Sequence, residues 1–274
     1  MKKLALIGGG SVRTYYFIES LLKFYREMDI GEVAVMDTDA EKLRYFGGIA
    51  SFISAGSGLK VTLTGDAEEA LRDADYVVTT IRVGQDLFRT KDERIALSEG
   101  LIGQETTGAG GFSYALRTIP VMIGYMKMIR RFAKPDAPVF NFTNPAGLVT
   151  QALYDAGFDN VIGICDNATG IKTDLADALK LNASDLFVKV YGLNHLSWAS
   201  RVEIGGEDVL PALMANESFV RNFHQFLYFD RDYVRRIAQI PNGYLYYYVH
   251  REKALRNLQE APETRGEFIL RNNT

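Results

Sequence analysis

The first 165 residues alternate between short runs rich in β-branched residues and longer segments whose apolar residues recur at helical spacing. This spacing predicts amphipathic helices over 14–26 and 39–54. Strands that alternate with helices are typical of a doubly wound α/β domain built on a parallel sheet. The predicted strands cover 3–7, 32–36, 60–64, 76–81, 138–142 and 161–165.

The pattern changes from residue 166 onward, so we predict two domains, 1–165 and 166–274. The second is an α+β domain that begins with a helix over 171–181 and strands over 186–191 and 199–204. Its remainder is rich in aromatic residues and is predicted to be helical over 219–229, 233–237 and 244–257.

The composition of the 274-residue chain narrows its class. Hydrophobic residues make up 47% and charged residues 24%, values that argue against a mainly disordered chain. A formal net charge of −3 gives no basic surface for nucleic acid or an anionic membrane. The apolar start of the chain stops at three glycines, too early for a signal peptide, and no run is long enough to span a membrane. Cys165, the single cysteine, cannot form an internal disulfide, which favours a reducing compartment. Together these features predict a soluble, cytoplasmic protein.

A glycine-rich turn containing Gly8, Gly10 and Ser11 follows the first predicted strand and precedes a helix. Such a turn lets the backbone approach a pyrophosphate, and the helix N-terminus offers unpaired N–H groups. Asp37 ends the second strand, where a carboxylate can accept the adenosine ribose hydroxyls and disfavour the 2′-phosphate of NADP. Arg13 replaces the third glycine of the usual motif, so an ordinary tight turn is the alternative. The order of strand, turn, helix, strand and acid favours NAD.

A thiol and an imidazole are the candidate metal ligands. Cys165 ends the sixth predicted strand, and His195 follows a strand of the second domain. One thiolate and one imidazole suit a divalent transition ion with open positions for substrate or water. The alternative is a small core cysteine and a hydrogen-bonded structural histidine.

Three further polar or aromatic segments have two interpretations each. The loop 103–111 carries Glu105, and 141–145 carries Asn144 beside a helix start; either can be a ligand contact or a mere turn or cap. Within 244–248, Tyr244 and Tyr248 would share one face of the predicted helix. Such a pair usually packs in a core, but a tyrosine near a divalent cation can act as a base.

Together and in this order, these segments resemble glycoside hydrolase family 4, the NAD- and manganese-dependent glycosidases. The matching stretches are 7–11, 82–84 with Arg89, 102–108, 141–145, Cys165, 192–196 and 244–248. The resemblance spans the whole chain, and 100–112 is most similar to the 6-phospho-β-glucosidases. It implies a lactate-dehydrogenase-like Rossmann fold with a second, substrate domain, and a homo-oligomer, dimer or tetramer.

The resemblance also implies NAD, Mn²⁺ or another divalent metal, and a phosphorylated sugar as substrate. NAD⁺ would take a hydride from C3 of the sugar and later return it, so that the aglycone leaves by elimination. The implied roles are Tyr244 as the base at C2, Cys165 and His195 as metal ligands, Gly8, Gly10, Ser11, Asp37 and Arg82 at NAD, and Arg89, Glu105, Asn144 and Arg265 at the sugar phosphate.

Asp166 departs from the β-glucosidase pattern. Relatives that act on 6-phospho-α-glucosides carry Asp next to the metal cysteine as a proton donor, so Asp166 makes an α-glucosidase the first alternative. Family members continue well beyond position 274, so we expect a truncated substrate domain, and an inactive NAD-binding remnant is the second alternative. A metal-free NAD-dependent hydroxyacid dehydrogenase, which would give Cys165 no role, is the third.

Overall fold

The computed structural model describes residues 1–273 of the chain, with the backbone alone described for Asn273. These residues form two compact units. The first contains Met1–Ala96, Gly103–Ile164 and the segment from Glu263 onward, and the second contains Leu97–Ile102 and Cys165–Pro262. One change from the first unit to the second therefore falls between Ile164 and Cys165.

The first unit is built on a parallel six-stranded sheet with the strand order β3-β2-β1-β4-β5-β6. This is the order of a doubly wound Rossmann sheet, which confirms the predicted fold class. The strands are β1 (Lys2–Ile7), β2 (Ile30–Met36), β3 (Lys60–Thr64), β4 (Tyr76–Thr79), β5 (Val139–Asn141) and β6 (Val161–Gly163). The helices are α1 (Val12–Leu21), α2 (Ala40–Lys42), a π-helical segment (Leu43–Gly47), α3 (Gly48–Ser54), α4 (Ala67–Leu71), α5 (Gln85–Ser98), α6 (Gly108–Phe132) and α7 (Ala146–Asp155).

Both faces of this sheet are apolar, as expected when helices cover a parallel sheet on each side. Ile7 of β1 packs on one face with Met122 and Met126 of α6. Leu6 points to the other face and packs with Ile18 of α1. Because the strands are parallel, the carboxyl ends of β1, β2, β4 and β5 lie at one edge of the sheet.

The second unit contains an antiparallel sheet with the strand order β10-β8-β7, in which β9 pairs with β8. The strands are β7 (Leu186–Leu193), β8 (Leu196–Ile204), β9 (Glu207–Asp208) and β10 (Ile240–Pro241). The helices are α8 (Asn167–Leu179), α9 (Leu210–Ala215), α10 (Glu217–Asn222), α11 (Arg231–Ile237), α12 (Tyr246–Val249) and α13 (Arg251–Glu260), with 3-10 turns at Ala183–Asp185, His224–Phe226 and Gly243–Leu245. The last helix, α14 (Arg265–Asn273), belongs to the first unit.

Most predicted elements differ from the structure at their ends, and three of the differences affect candidate site residues or break a predicted element. The sixth strand ends at Gly163, so Cys165 lies beyond it in the connection to α8. The helix predicted over 219–229 is split into α10 and a 3-10 turn. The helix predicted over 244–257 is also broken, because His250 has the non-helical dihedrals φ −118° and ψ 44°. Tyr244 belongs to a separate 3-10 turn, so the prediction that Tyr244 and Tyr248 share one helix face was wrong.

Across residues 1–273, the helices are all too short or too polar to cross a lipid bilayer.

Candidate active site

A cavity of about 760 Å³ opens in the first unit at the carboxyl ends of β1, β2, β4 and β5. This is the edge at which open α/β sheets bind ligands, and the volume falls in the range of small-molecule and cofactor sites. Eight of the predicted site residues line it, namely Gly8, Gly10, Ser11, Asp37, Arg82, Arg89, Glu105 and Asn144. The structure thus brings the predicted nucleotide residues together with most of the predicted sugar-phosphate residues.

The glycine turn has no room for side chains. Gly8 has a φ of +98°, and a Cβ there would lie 2.7 Å from the backbone nitrogen of Ile81. A Cβ on Gly10 would lie 2.8 Å from the carboxylate of Asp37. The backbone is therefore bare where it meets the cavity, which is the condition for close approach of a pyrophosphate.

The carboxylate of Asp37 is fixed at the end of β2 by two backbone N–H groups. Gly10 donates to its Oδ2 at 2.7 Å, and Asp39 donates to its Oδ1 at 2.9 Å. The two bonds fix the orientation of the carboxylate, so its negative charge faces the cavity beside the glycine turn. A ribose hydroxyl can donate to such a carboxylate, whereas a phosphate at the same place would be repelled.

An ionic network extends from the wall of the cavity into the protein interior. Glu105 accepts from Arg82 and, at 2.9 Å, from Nη1 of Arg89. Nε of Arg89 donates to Glu93 at 2.9 Å, and the second oxygen of Glu93 accepts from the backbone nitrogen of Gly266 at 2.7 Å. Glu93 is only 1% exposed. The network therefore fixes the guanidinium of Arg89 and ties it to the first turn of α14.

Two pKa values in this region depart from their usual range. Burial alone would lower the pKa of the Arg82 guanidinium, but Glu105, Tyr114 and Asp86 raise it more, so the net shift is upward. Burial raises the pKa of the Tyr114 phenol to about 12, although Arg82 partly offsets this shift. Arg82 therefore carries its charge at any working pH and Tyr114 stays protonated.

Arg265 is the one predicted sugar-phosphate residue that does not line the cavity. It is exposed at the start of α14, with its guanidinium 4.9 Å from the centre of the Phe268 ring. The backbone of the next residue, Gly266, carries the bond to Glu93. No sequence motif indicated Glu93, and its i,i+4 spacing from Arg89 on one helix is the only signal that was available.

In the second unit, the predicted metal ligands are neighbours. Sγ of Cys165 lies 3.5 Å from Nε2 of His195. For bonds of about 2.3 Å to sulfur and about 2.1 Å to nitrogen, as in zinc proteins, ligand angles of about 90 to 109° put the two donor atoms about 3.1 to 3.6 Å apart. The observed separation therefore fits one shared metal ion without movement of either side chain.

The backbone of His195 is strained. It lies in the tight turn between β7 and β8, with a φ of +61°, in the left-handed region. A non-glycine residue in that region costs on the order of 1–3 kcal/mol, and such residues cluster at functional sites. The side chain is 9% exposed. The surrounding structure thus keeps the backbone of His195 in a conformation that a non-glycine residue rarely adopts.

Tyr244 lies directly on this imidazole. The two rings are stacked, with centroids 3.7 Å apart and planes 2° from parallel. The 3-10 turn Gly243–Leu245 carries Tyr244 to this position. Tyr244, the predicted base, therefore lies beside Cys165 and His195, the two predicted metal ligands.

Asp166 contacts Cys165, one of the two predicted metal ligands. It is exposed, and the Cys165 thiol donates to its Oδ1 at 3.9 Å. Burial raises the pKa of the Cys165 thiol, with a smaller upward contribution from the Asp166 charge. Among the described residues, no three His, Cys, Asp or Glu side chains form a metal cluster. Two protein donors suit an ion that keeps open positions for substrate or water.

Asn242 is a buried residue at this site that sequence reasoning missed. It is 1% exposed, and its amide contacts Asn167, Ser197 and the backbone of Tyr244. The segments that it joins are 75 and 45 positions away along the chain, and no spacing rule indicates such a contact.

Comparison with known proteins identifies the family. Residues 3–181 match the family 4 glycosyl hydrolases, and residues 190–274 match the C-terminal domain of the same family. The chain belongs to the family 4 glycosyl hydrolases. The resemblance stated from the sequence is thereby confirmed.

The relatives include enzymes for both anomers. The chain is 39% identical to the 6-phospho-beta-glucosidase of Escherichia coli, across 92% of this chain and 59% of the relative. A solved structure of the 6-phospho-beta glucosidase from Thermotoga maritima with manganese, NAD⁺ and glucose-6-phosphate has 32% identity and a TM-score of 0.89, over 99% of this chain and 64% of that one. A 6-phospho-alpha-glucosidase from gut microorganisms, solved with NAD and Mn²⁺, has 28% identity and a TM-score of 0.88, over 99% and 66%. The chain thus spans about two thirds of the length of these relatives, or less.

The likeness extends to dehydrogenases at the level of the fold. The lactate dehydrogenase from Eimeria maxima matches with a TM-score of 0.55 and 19% identity over 89% of this chain. The predicted lactate-dehydrogenase-like Rossmann architecture is confirmed.

Proposed function

We propose that this protein hydrolyses 6-phospho-β-glucosides with NAD and a divalent metal, by oxidation, elimination, addition and reduction. The proposal depends chiefly on Cys165, His195 and Tyr244, which form a donor pair 3.5 Å apart with a phenol stacked on the imidazole. A base beside a Lewis acid suits removal of a proton next to a carbonyl carbon. The family and the cofactors of the relatives support it.

The groups of the first unit bind and orient the cofactor. Gly8 and Gly10 let the pyrophosphate approach the backbone closely, and the N-terminus of α1, which Ser11 precedes, offers it unpaired N–H groups. Asp37 accepts the adenosine ribose hydroxyls. Arg82 adds a positive charge in the same cavity. When bound, NAD supplies reversible hydride transfer at C3 of the sugar, and the metal supplies polarisation of the oxygen there.

We assign the binding of the phosphorylated sugar to Arg89, Asn144 and Arg265, with Glu105 as a further substrate-binding residue. A guanidinium suits a phosphate because its N–H groups form parallel bonds with two oxygens. Glu105 accepts from Arg82 and Arg89, so it also keeps both cations in place. Tyr244 then takes the proton from C2, and Cys165 and His195 hold the metal. The protein assembles as a homo-oligomer, which sedimentation velocity tests.

A second candidate is hydrolysis of 6-phospho-α-glucosides. The observation that favours it is the contact between Asp166 and Cys165, because it puts an exposed carboxylate at the metal pair. Such a carboxyl group can donate a proton to a leaving group. The identity of 39% to the E. coli 6-phospho-beta-glucosidase, against 28% to the solved 6-phospho-alpha-glucosidase, favours the β-linkage.

The test is release of nitrophenol from the α- and β-linked 4-nitrophenyl glucoside 6-phosphates. Each reaction contains NAD⁺, Mn²⁺ and a thiol reductant, and each component is omitted in turn. We expect release from the β-anomer that requires both NAD⁺ and metal. Release from the α-anomer alone, lost in Asp166→Asn, would establish the second candidate. No release from either anomer, with NAD⁺ still bound, would identify an inactive remnant.

A further inference from the structure

The amide of Asn242 joins the three segments that carry the candidate catalytic groups. Its Nδ2 donates to Oδ1 of Asn167 and, at 3.3 Å, to Oγ of Ser197. Its Oδ1 accepts from the backbone nitrogen of Tyr244 at 2.9 Å. A backbone bond of 2.9 Å, from Asn242 N to Ser197 O, adds to the same junction.

The hydrogen-bond partners of the Asn242 amide lie close in sequence to the candidate metal ligands and the candidate base. Asn167 follows Cys165 by two positions, and Ser197 follows His195 by two positions. The third partner is the backbone of Tyr244 itself. One side chain thus connects the thiol segment, the imidazole turn and the phenol turn.

A buried amide has both a donor and an acceptor, and this one uses both at the junction. Asn242 is 1% exposed and Ser197 is 6% exposed, so water cannot easily replace a lost bond. A hydrophobic residue would satisfy neither side, and a carboxylate would lose the donor. A hydroxyl has only one hydrogen to donate, whereas the amide donates to both Asn167 and Ser197 while it accepts from Tyr244.

We propose that Asn242 is a positioning residue that keeps Tyr244 in register with the Cys165–His195 pair. This inference rests on the proposed function. Its Oδ1 fixes the turn that carries the phenol, and its Nδ2 fixes that turn to the two segments that hold the metal donors. Misplacement of a reacting group by about 1 Å costs on the order of 100-fold in rate, so a lost bond here affects chemistry more than binding of the sugar.

The experiment compares Asn242→Ala and Asn242→Asp with Asn216→Ala in the full chain. Asn216 is the matched control, because it also caps a short helix of the second unit through its side chain, at 3.1 Å from Phe219 N, but is exposed. Mn²⁺ affinity is measured by electron paramagnetic resonance, and kcat and KM with substrates that carry hydrogen or deuterium at C2.

We expect Asn242→Ala to weaken Mn²⁺ binding about tenfold or more, as loss of a group that orients metal ligands does elsewhere. We expect kcat to fall about 100-fold with a larger isotope effect at C2 and little change in KM. Asn242→Asp keeps the acceptor for Tyr244 but loses the donor. It should retain more of kcat than Asn242→Ala, with a similar loss of Mn²⁺ affinity. Asn216→Ala should behave as wild type.

A lowered melting temperature with wild-type Mn²⁺ affinity and an unchanged isotope effect, in either Asn242 variant, would overturn the proposal and leave Asn242 a purely structural residue. Wild-type chain that binds no Mn²⁺ at all would instead contradict the proposed function. The two failures are therefore distinguishable, and the Mn²⁺ titration does not depend on turnover.

Discussion

The phenol of Tyr244 and the imidazole of His195 are stacked face to face, with centroids 3.7 Å apart and planes 2° from parallel. The stack fixes the phenol ring without engaging its hydroxyl, since the contact is between ring faces. We therefore expect the ring and the hydroxyl of Tyr244 to have separable roles, the ring in packing against His195 and the hydroxyl in the proposed proton transfer.

Tyr244→Phe should keep the ring and remove the base. We expect kcat to fall by about 10² to 10⁴, the usual contribution of a positioned general base, while Mn²⁺ affinity and melting temperature stay near wild type. The check is steady-state kinetics beside a Mn²⁺ titration. Tyr248→Phe is the control, because that residue of the same tyrosine cluster is 53% exposed. Equal rates for Tyr244→Phe and wild type would rule out the phenol as base.

Asp37 should determine the preference for NAD over NADP. We expect NAD⁺ to bind at least about tenfold more tightly than NADP⁺, because the Asp37 carboxylate would repel a 2′-phosphate. Asp37→Ser should narrow that ratio in calorimetric titrations. Asp66→Ser is the control, since Asp66 also accepts a backbone N–H, that of Glu68, but only caps α4. A ratio that Asp37→Ser leaves unchanged would show that other groups read the ribose.

The Arg89–Glu93 pair should contribute far more to stability than an exposed pair of the same spacing. Both this pair and Glu68–Arg72 are i,i+4 ion pairs, although Arg72 lies just beyond the end of α4. Glu93 is 1% exposed, while the Glu68 side chain is 42% exposed. Glu93→Ala leaves a buried guanidinium without one of its two carboxylates, which costs about 3–5 kcal/mol. Glu68→Ala should cost about 0–1 kcal/mol. Urea unfolding followed by circular dichroism measures both, and similar shifts would contradict the expected role of the network.

Tyr114 should make the folded state less stable at alkaline pH. Burial raises the pKa of this phenol from its usual value near 10 to about 12. Between those values the unfolded chain has released the proton and the folded chain still holds it, so the free energy of unfolding falls as pH rises. The loss is complete above about pH 12 and is on the order of 2 to 3 kcal/mol.

Tyr114→Phe should remove that part of the pH dependence. The measurement is the free energy of unfolding of both proteins from pH 9 to pH 12, compared as a difference so that other groups cancel. Tyr16→Phe, at a tyrosine that is 59% exposed in the same unit, should follow the wild-type curve. A Tyr114→Phe curve parallel to wild type would mean that the phenol ionises without opposing folding.

The parallel sheet could be predicted from sequence because its signal is local. The prediction for 60–64 matches β3 residue for residue, and the other strands of this sheet are displaced only at their ends. The break at His250 could not be predicted, since the sequence around it has helical spacing and tertiary contacts decide its dihedrals. The family resemblance named both Cys165 and His195, and their side chains lie 3.5 Å apart. That they bind a metal stays a prediction.

The groups that the sequence did not reveal make contacts across long stretches of chain. Asn242 meets Asn167 across 75 positions, and Glu93 meets Gly266 across 173. No periodicity links such pairs, and each residue type is common in ordinary helices and turns. Only the folded structure shows that the Asn242 amide and the Glu93 carboxylate contact segments of the candidate site.

The bond from Gly266 to Glu93 gives the first unit a particular order of assembly during synthesis. When Glu93 leaves the ribosome, its partner is 173 residues away, and the whole second unit is made before that partner is available. Until then one oxygen of a carboxylate destined for burial has only water as a donor. Ile269 of α14, which lines the cavity, is also made after the second unit. The cavity at the sheet edge is therefore completed by a segment that is made after the second unit, so a nascent chain has an incomplete cavity even when all six strands of its sheet have been made.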